Sequence, residues 1–161
     1  MKENHLLINR NTLAIRKIEH PEFQSEIIHA DGVQYAADSP MKILFDCCIL
    51  AGSTLKGNID ASRHKLGVKD SIVPVILDPV TKLIVMPTHV PNDPENIWIF
   101  PEHVLETNVY TRKNSVIEFT GGKKLLVNLP LFELKRQLKR TERFRAMRRV
   151  QSFMIMKRDD K

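Results

Sequence analysis

The apolar residues of this chain change their spacing at Pro130, and this change most limits the folds that the chain can adopt. Before Pro130, short apolar segments flank pairs of turn residues such as Asp31-Gly32 and Gly121-Gly122, which accept the backbone angles of tight hairpins. From Leu131 onward, the apolar spacing approaches 3.6 residues, which is typical of a helix. We therefore expect an α+β fold in which antiparallel hairpins surround a short helix and a basic helix follows.

Paired apolar segments predict the individual strands. Each pair flanks a turn, and NIWIFP, which contains Trp98, predicts one further strand. The predicted pairs are HLLI with TLAIRKI around residues 9–11, EIIHA with VQYAA around 31–32, IVPVIL with KLIVMP around 78–81, and SVIEF with KLLVNLP around 121–122.

Ser39-Pro40 predicts the start of a helix over about residues 40–51, because serine caps helices well and proline suits the first helical position. The apolar residues of this segment lie on nearly all sides of the helix, so we expect it to be central and buried. The next residues, GSTLKGN, have the two glycines of a phosphate loop, but Asn58 and Ile59 replace its lysine and hydroxyl. We interpret them as a glycine cap followed by a surface loop.

One region carries the net positive charge. Residues 131–161 contain eleven Lys or Arg and four Asp or Glu, a balance of +7, whereas residues 1–130 contain fourteen and fifteen, a balance of −1. Like charges three or four positions apart on a helix repel one another, so this segment favours a polyanionic partner. The candidate residues for that contact are Lys135, Arg136, Lys139, Arg140, Arg143, Arg145, Arg148 and Arg149.

The apolar residues of the basic segment predict how it docks. Leu131, Leu134 and Leu138 share one helical face, whereas Phe144 and later apolar residues depart from it. We expect the helix to bend near Arg143, or a second helix to start there. The excess of arginine over lysine favours phosphate groups and narrow grooves over a membrane surface.

Other chemistry finds little support in the sequence. The six histidines are scattered without metal-ligand spacing, and no nucleophile motif is present, so we predict neither an enzyme nor a metal or cofactor site. Cys47 and Cys48 are adjacent, which suits reduced core residues. No apolar run has the length of a signal peptide or a membrane span, so we expect a cytoplasmic protein that does not bind membranes.

Several segments resemble the competence transcription factor ComK family of Gram-positive bacteria. They are GST-x-x-G at residues 52–57, PVILDPVTKLIVMPT at 74–88, IWI around Trp98, and VIEFTGGKKLLVNLP at 116–130. FMIMK at 153–157 is similar to the family's Phe-Met-rich segment, which is read by an adaptor for a Clp protease. The residues of this adaptor-type tail are Phe153, Met154, Ile155, Met156 and Lys157.

The resemblance implies a nucleoid-associated activator of DNA-uptake genes. Such a protein would bind paired A/T-rich boxes of double-stranded DNA through the minor groove, as a homo-oligomer that bends the DNA. Lys56, Arg63 and Lys65 are secondary DNA-binding candidates, although Asn58 stands where the family tends to have a basic residue. In the tail, Met156 replaces the usual aromatic residue and the following proline is missing, so adaptor recognition would differ.

This reading divides the chain into a β-rich body at 1–130, a basic helical segment of the same domain at 131–152, and a tail at 153–161. Two alternatives remain open: an RNA-binding or ribosome-associated protein, and an interaction module that binds an acidic protein and binds DNA only non-specifically. The FMIMK segment is either exposed for capture or packed on the body as a last strand or helical turn.

Overall fold

Hairpins build most of the region before Pro130. The computed structural model describes the backbone of residues 4–159 and the side chains of residue 4 and residues 6–147. The strands are β1 (Thr12–Lys17), β2 (Ser25–His29), β3 (Gly32–Ala36), β4 (Val75–Asp78), β5 (Leu83–Pro87), β6 (Ile97–Ile99), β7 (Val104–Val109), β8 (Ser115–Phe119) and β9 (Lys124–Val127). The helices are α1 (Pro40–Leu50), α2 (Leu55–Leu66) and α3 (Leu131–Asp159), with short 3-10 turns at Asn4–Leu7 and Pro101–His103.

Two antiparallel sheets form the body. The larger has six strands in the order β3-β2-β1-β6-β5-β4, and the smaller has three in the order β7-β8-β9. Successive residues of the central strands point to opposite faces of the larger sheet, as strand geometry requires. On β6, Trp98 packs towards α1, whereas Ile97 and Ile99 pack towards the smaller sheet. The α+β fold class is therefore confirmed.

Three predicted hairpins are confirmed, and two local assignments were wrong or missing. β2–β3, β4–β5 and β8–β9 pair around the expected turns, and Gly121 and Gly122 both have positive φ angles, 96° and 94°. The HLLI segment was predicted as a strand but lies mostly in the first 3-10 turn. Strand β7 was not predicted, because its exposed residues show no alternation of apolar and polar side chains.

Helix α1 begins as the sequence predicts, but only one side of it is buried. Ser39 Oγ accepts a hydrogen bond from the Lys42 amide at 3.2 Å, and Pro40 occupies the first turn. Leu44 is buried, whereas Ile49 and Leu50 are exposed. The expectation of a helix buried on all sides was therefore wrong, because the sheet and the turn at Asn4–Leu7 leave Ile49 and Leu50 exposed.

The segment read as a surface loop contains helix α2. Gly52, with φ of 88°, follows the end of α1, and Thr54 then caps α2 by accepting a hydrogen bond from the Gly57 amide at 3.0 Å. A Cβ at Gly57 would lie 2.8 Å from the Thr54 hydroxyl, so this glycine leaves room for the cap. Asn58 Nδ2 donates to the Ile76 carbonyl at 2.9 Å and thereby ties α2 to β4.

The larger sheet separates two apolar layers. One layer contains α1 and the first turn of α2, packed on β1, β2, β4, β5 and β6 through residues such as Leu44, Leu55 and Trp98. The other contains β8, β9 and the first part of α3, packed through Phe119, Leu134 and neighbouring side chains. Each fully buried large apolar side chain contributes about 1.5–3 kcal/mol, so the second layer, which includes Leu134, stabilises the position of α3.

Candidate nucleic-acid interface

A stripe of buried side chains holds α3 on the body. Leu134 packs in the layer between the two sheets, and Phe144 packs against Leu66 where α2 approaches α3. Gln137 and Thr141 lie between them and are also buried. Spacings of three and four residues place these four side chains on one helical face. This stripe docks α3 from its first turn as far as Phe144.

The alternative that a second helix starts near Arg143 was wrong, since α3 is one helix over Leu131–Asp159. The apolar pattern was interrupted because two stripe positions carry polar side chains. Thr141 Oγ1 donates to the Gln137 carbonyl at 3.0 Å and lies 3.4 Å from Met86 Sδ. Its hydroxyl is therefore satisfied inside the protein, which removes most of the cost of burying it.

Three basic residues lie on the outer face of α3. At 100° per residue, Lys139 lies nearly opposite the buried stripe, with Lys135 and Arg136 on either side of it. Arg136 pairs with Glu133 at 2.7 Å, and its side chain remains 58% exposed. Lys135 and Lys139 are exposed and form no ion pair within the described side chains. All three are therefore available to an approaching polyanion.

The Arg140 side chain is mostly buried and forms hydrogen bonds with the body. Its Nη1 atom donates to Asp70 Oδ1 at 2.9 Å and to the Ile72 carbonyl at 2.7 Å, and its side chain is only 16% exposed. Burial by itself raises the pKa of Asp70, but the hydrogen bonds from Arg140 and from the Ile72 amide outweigh it and hold that pKa below its ordinary value. Arg140 thus fastens α3 to the segment that follows α2.

Arg143 meets the end of α2. Its Nη2 atom donates to the Leu66 carbonyl at 2.6 Å, one of the last carbonyls of that helix. A cation is favourable there, because the helix dipole places partial negative charge at the carboxyl end. Arg143 therefore stabilises the junction between α2 and α3 while its side chain stays partly accessible at the surface.

The remaining candidates on α3 differ in how far they are described. Arg145 pairs with Glu142 at 3.0 Å and is 23% exposed. The side chains of Arg148 and Arg149 lie outside the described residues, as do those of the adaptor-type segment at 153–157. The backbone of that segment continues α3 up to Asp159.

Helix α2 brings one of the secondary candidates next to α3. Lys65 Nζ lies 5.9 Å from the centre of the Phe144 ring, so this lysine borders the docked face of α3. Arg63 pairs with Asp60 at 3.7 Å and also donates to the Lys69 carbonyl. Lys56 lies in the first turn of α2, roughly 13 Å along the helix from Lys65. The structure therefore places Lys65 beside α3 and Lys56 away from it, whereas Arg63 contacts Asp60 and the Lys69 carbonyl.

These contacts define one continuous region, which we call the α2–α3 basic surface. Lys65 and Arg143 join its two helices, so the region depends on a helix that sequence reasoning missed. The sequence signal that could have predicted α2 is Thr54, because threonine is a common cap residue directly before a helix. The surface consists of Lys65, Lys135, Arg136, Lys139, Arg140 and Arg143.

The described part of the chain gives no structural support for a metal site, a reactive Cys47 thiol or a membrane span. No group of three or more His, Cys, Asp or Glu side chains there could hold a metal ion. Burial, with smaller contributions from the charges of Cys48 and Asp46, raises the pKa of the Cys47 thiol to about 12, so this thiol stays protonated at neutral pH. Within the same residues, no helix is both long and apolar enough to span a bilayer.

Comparisons with known proteins agree with the resemblance seen in the sequence motifs. The sequence profile of the ComK protein family matches residues 2–152. The competence transcription factor of Bacillus subtilis (strain 168) is 25% identical over 135 residues, which cover 83% of this chain and 70% of the relative. No solved structure matches the chain. Because the family profile spans nearly the whole sequence, the chain belongs to the ComK family.

Proposed function

We propose that this protein is a competence transcription factor that acts by binding DNA and not by catalysis. Membership of the ComK family and the similarity to the competence transcription factor of Bacillus subtilis support the regulatory role. The observation that carries DNA binding is the α2–α3 basic surface, where Lys135, Arg136 and Lys139 face solvent on a helix that is held by a buried stripe. A docked helix presents these cations together on one side, and phosphate contacts of this kind set the register of a protein on its duplex.

We propose that the DNA target is an A/T-rich duplex that is read through its minor groove. The minor groove is about 6 Å wide, whereas a helix with its side chains is about 10–12 Å wide, so α3 would lie across the groove without entering it. Arginine side chains would then enter, because narrow A/T-rich grooves concentrate negative potential. Arg136 suits this role, since its exposed pair with Glu133 costs less than about 1 kcal/mol to break.

The other basic residues would divide into contact and positioning roles. Lys135 and Lys139 are exposed and would neutralise phosphates on the two sides of the groove. Arg140 and Arg143 already donate to the body, and they would position α3 against α2 so that Lys65 extends the same surface. Arg145, Arg148 and Arg149 remain candidates for further phosphate contacts beyond Arg143.

A competition experiment tests this assignment. Fluorescently labelled A/T-rich and G·C-rich duplexes are titrated with the protein over a range of salt concentrations, with duplex RNA as an unlabelled competitor. Lys135, Lys139 and the inserted Arg136 would each neutralise about one phosphate charge per subunit, which predicts a slope of about −2.7 in log affinity against log salt. A flat salt dependence contradicts phosphate binding, and equal affinity for G·C-rich DNA contradicts groove reading. Preference for duplex RNA favours an RNA-binding role.

Arg136→Lys separates groove insertion from simple charge. Lysine keeps the positive charge but lacks the planar, weakly hydrated guanidinium that suits a narrow groove. We therefore expect the variant to lose most of its preference for A/T-rich over G·C-rich DNA while its salt slope stays unchanged. An unaltered preference would remove Arg136 from the groove.

The family resemblance also supports proposals about assembly and turnover. Two or more copies would occupy one DNA site, which stepped complexes in gel shifts with boxes of varied spacing would reveal. The segment at residues 153–157 would be captured by an adaptor of a Clp protease in the cytoplasm. Deletion of these residues should then slow degradation in a reconstituted adaptor and protease assay without changing DNA affinity.

A further inference from the structure

A second surface is an open groove between α1, the first turn of α2 and residues 90–92. The groove has a volume of about 510 Å³, and Met41, Leu55 and Ile59 contribute to its lining. Phe45 and Val90 also line it and are 40% and 50% exposed. Large apolar side chains that are grouped and accessible in this way typically mark an interaction site.

Positive groups border this groove. Lys42 and Lys56 line it, and no Asp or Glu does so among the described residues. Lys42 pairs with Asp46 at 2.8 Å, but its side chain is 52% exposed and its ammonium has further N–H donors. The groove also borders the amino end of α2, where Thr54 accepts from the Gly57 amide and the helix dipole favours anions.

We propose that this groove binds a short segment of a partner protein in which apolar side chains are flanked by Asp or Glu. The apolar side chains would cover Phe45, Ile59 and Val90, and the carboxylates would meet Lys56 and the amino end of α2. The occupant is a peptide segment rather than a small molecule, because small-molecule sites enclose most of their ligand and this groove leaves its walls half open.

The groove and the α2–α3 basic surface use opposite ends of α2. Lys56 lies in the first turn of this 12-residue helix, and Arg143 binds a carbonyl of its last turn. A helix of this length spans about 18 Å, so a partner in the groove leaves the carboxyl end of α2 free. The proposal goes beyond DNA binding and does not depend on it.

The test uses a short fluorescein-labelled peptide in which Leu and Phe alternate with pairs of Glu, and a second peptide in which Ser replaces Leu and Phe. Both have the same charge, so any difference in affinity reports the apolar groove. Binding to the full chain is followed by fluorescence anisotropy. Lys56→Glu reverses a charge at a position where glutamate suits the helix dipole, and Val90→Asp changes an exposed loop side chain, so both variants should fold.

We expect the apolar acidic peptide to bind more tightly than its serine counterpart, and each variant to weaken its binding about tenfold, because each variant places a carboxylate against the acidic peptide. Lys139→Glu, a matched charge reversal on α3, should change its affinity less than twofold, and Val90→Asp should keep DNA affinity. Equal binding of the two peptides, or loss through Lys139→Glu, would assign the binding to basic charge alone and overturn the proposal. Self-association that Val90→Asp abolishes would assign the groove to a second copy and also overturn it.

Discussion

Replacing Arg140 by alanine should destabilise the protein more than any other single change on the basic side of α3. Arg140 donates to the Ile72 carbonyl from a side chain that is only 16% exposed. A hydrogen bond from a charged group contributes about 1.5–3 kcal/mol. The Asp70 side chain is 48% exposed, so its ion pair with Arg140 adds only about 0.2–1 kcal/mol after screening by solvent.

These contributions predict a loss of about 2–4 kcal/mol in the free energy of unfolding for Arg140→Ala. For a chain of this size, the melting temperature should then fall by about 4–16 °C. Thermal melts and urea titrations followed by circular dichroism measure both quantities. The matched control is Lys139→Ala, which removes an exposed cation without an ion pair and should change stability by less than about 0.5 kcal/mol.

DNA titrations distinguish a residue that only positions α3 from one that contacts a DNA phosphate. If Arg140 only positions α3, then Arg140→Ala, measured well below its melting temperature, should keep the salt slope of the parent protein. Lys139→Ala should lower that slope by about 0.9, because it removes one phosphate contact. Our reasoning is refuted if the two variants have equal stability, or if Arg140→Ala lowers the slope as much as Lys139→Ala does.

Three further predictions follow from other contacts. Replacing Lys135 and Lys139 together by alanine should lower the salt slope of DNA binding by about 1.8 without changing the urea midpoint, since both side chains are exposed. Gly57→Ala should change stability by less than about 0.5 kcal/mol, because a gain in helix propensity of about 1 kcal/mol offsets a lost cap of about 1 kcal/mol. Thr54→Ala should then cost about 1 kcal/mol in the parent protein and almost nothing in the Gly57→Ala background, which urea titrations of all four proteins would show. The hydrogen bond from Lys42 outweighs burial and lowers the pKa of Asp46. The ionised Asp46 therefore stabilises the fold above the pKa of an unfolded aspartate, and this stabilisation is lost as the pH falls through the lower pKa of the folded state. Asp46→Asn should therefore flatten the pH dependence of the urea midpoint below about pH 4, and an unchanged profile would exclude this pair as its source.

Local signals predicted the hairpins well, because each depends on a turn and on the strands beside it. Helix α2 was not predicted, because its segment is polar on average and contains Gly57, which lowers helix propensity. Its helical state depends on the Thr54 cap and on Asn58, which binds a strand carbonyl 18 residues away. Strand β7 was not predicted either, because neither of its faces is continuously covered.

The charge pattern predicted the basic side of α3 but could not show which arginines contact the body and which stay exposed. Arg136 and Arg140 are one helical turn apart and look equivalent in the sequence. Arg140 meets Asp70, which lies 70 positions earlier in the chain, whereas Arg136 meets only the nearby Glu133. The burial of Gln137 and Thr141 was equally hard to predict, because their polar side chains do not mark the face of α3 that docks on the body.

The position of Trp98 gives this protein a built-in optical probe. It is the single tryptophan of the sequence, it is 1% exposed, and it packs in the layer that contains α1. Its emission should shift to longer wavelength when the core opens and should stay constant when DNA covers α3. Tryptophan fluorescence and labelled-DNA anisotropy, recorded on one sample, would therefore report unfolding and binding as two separate signals.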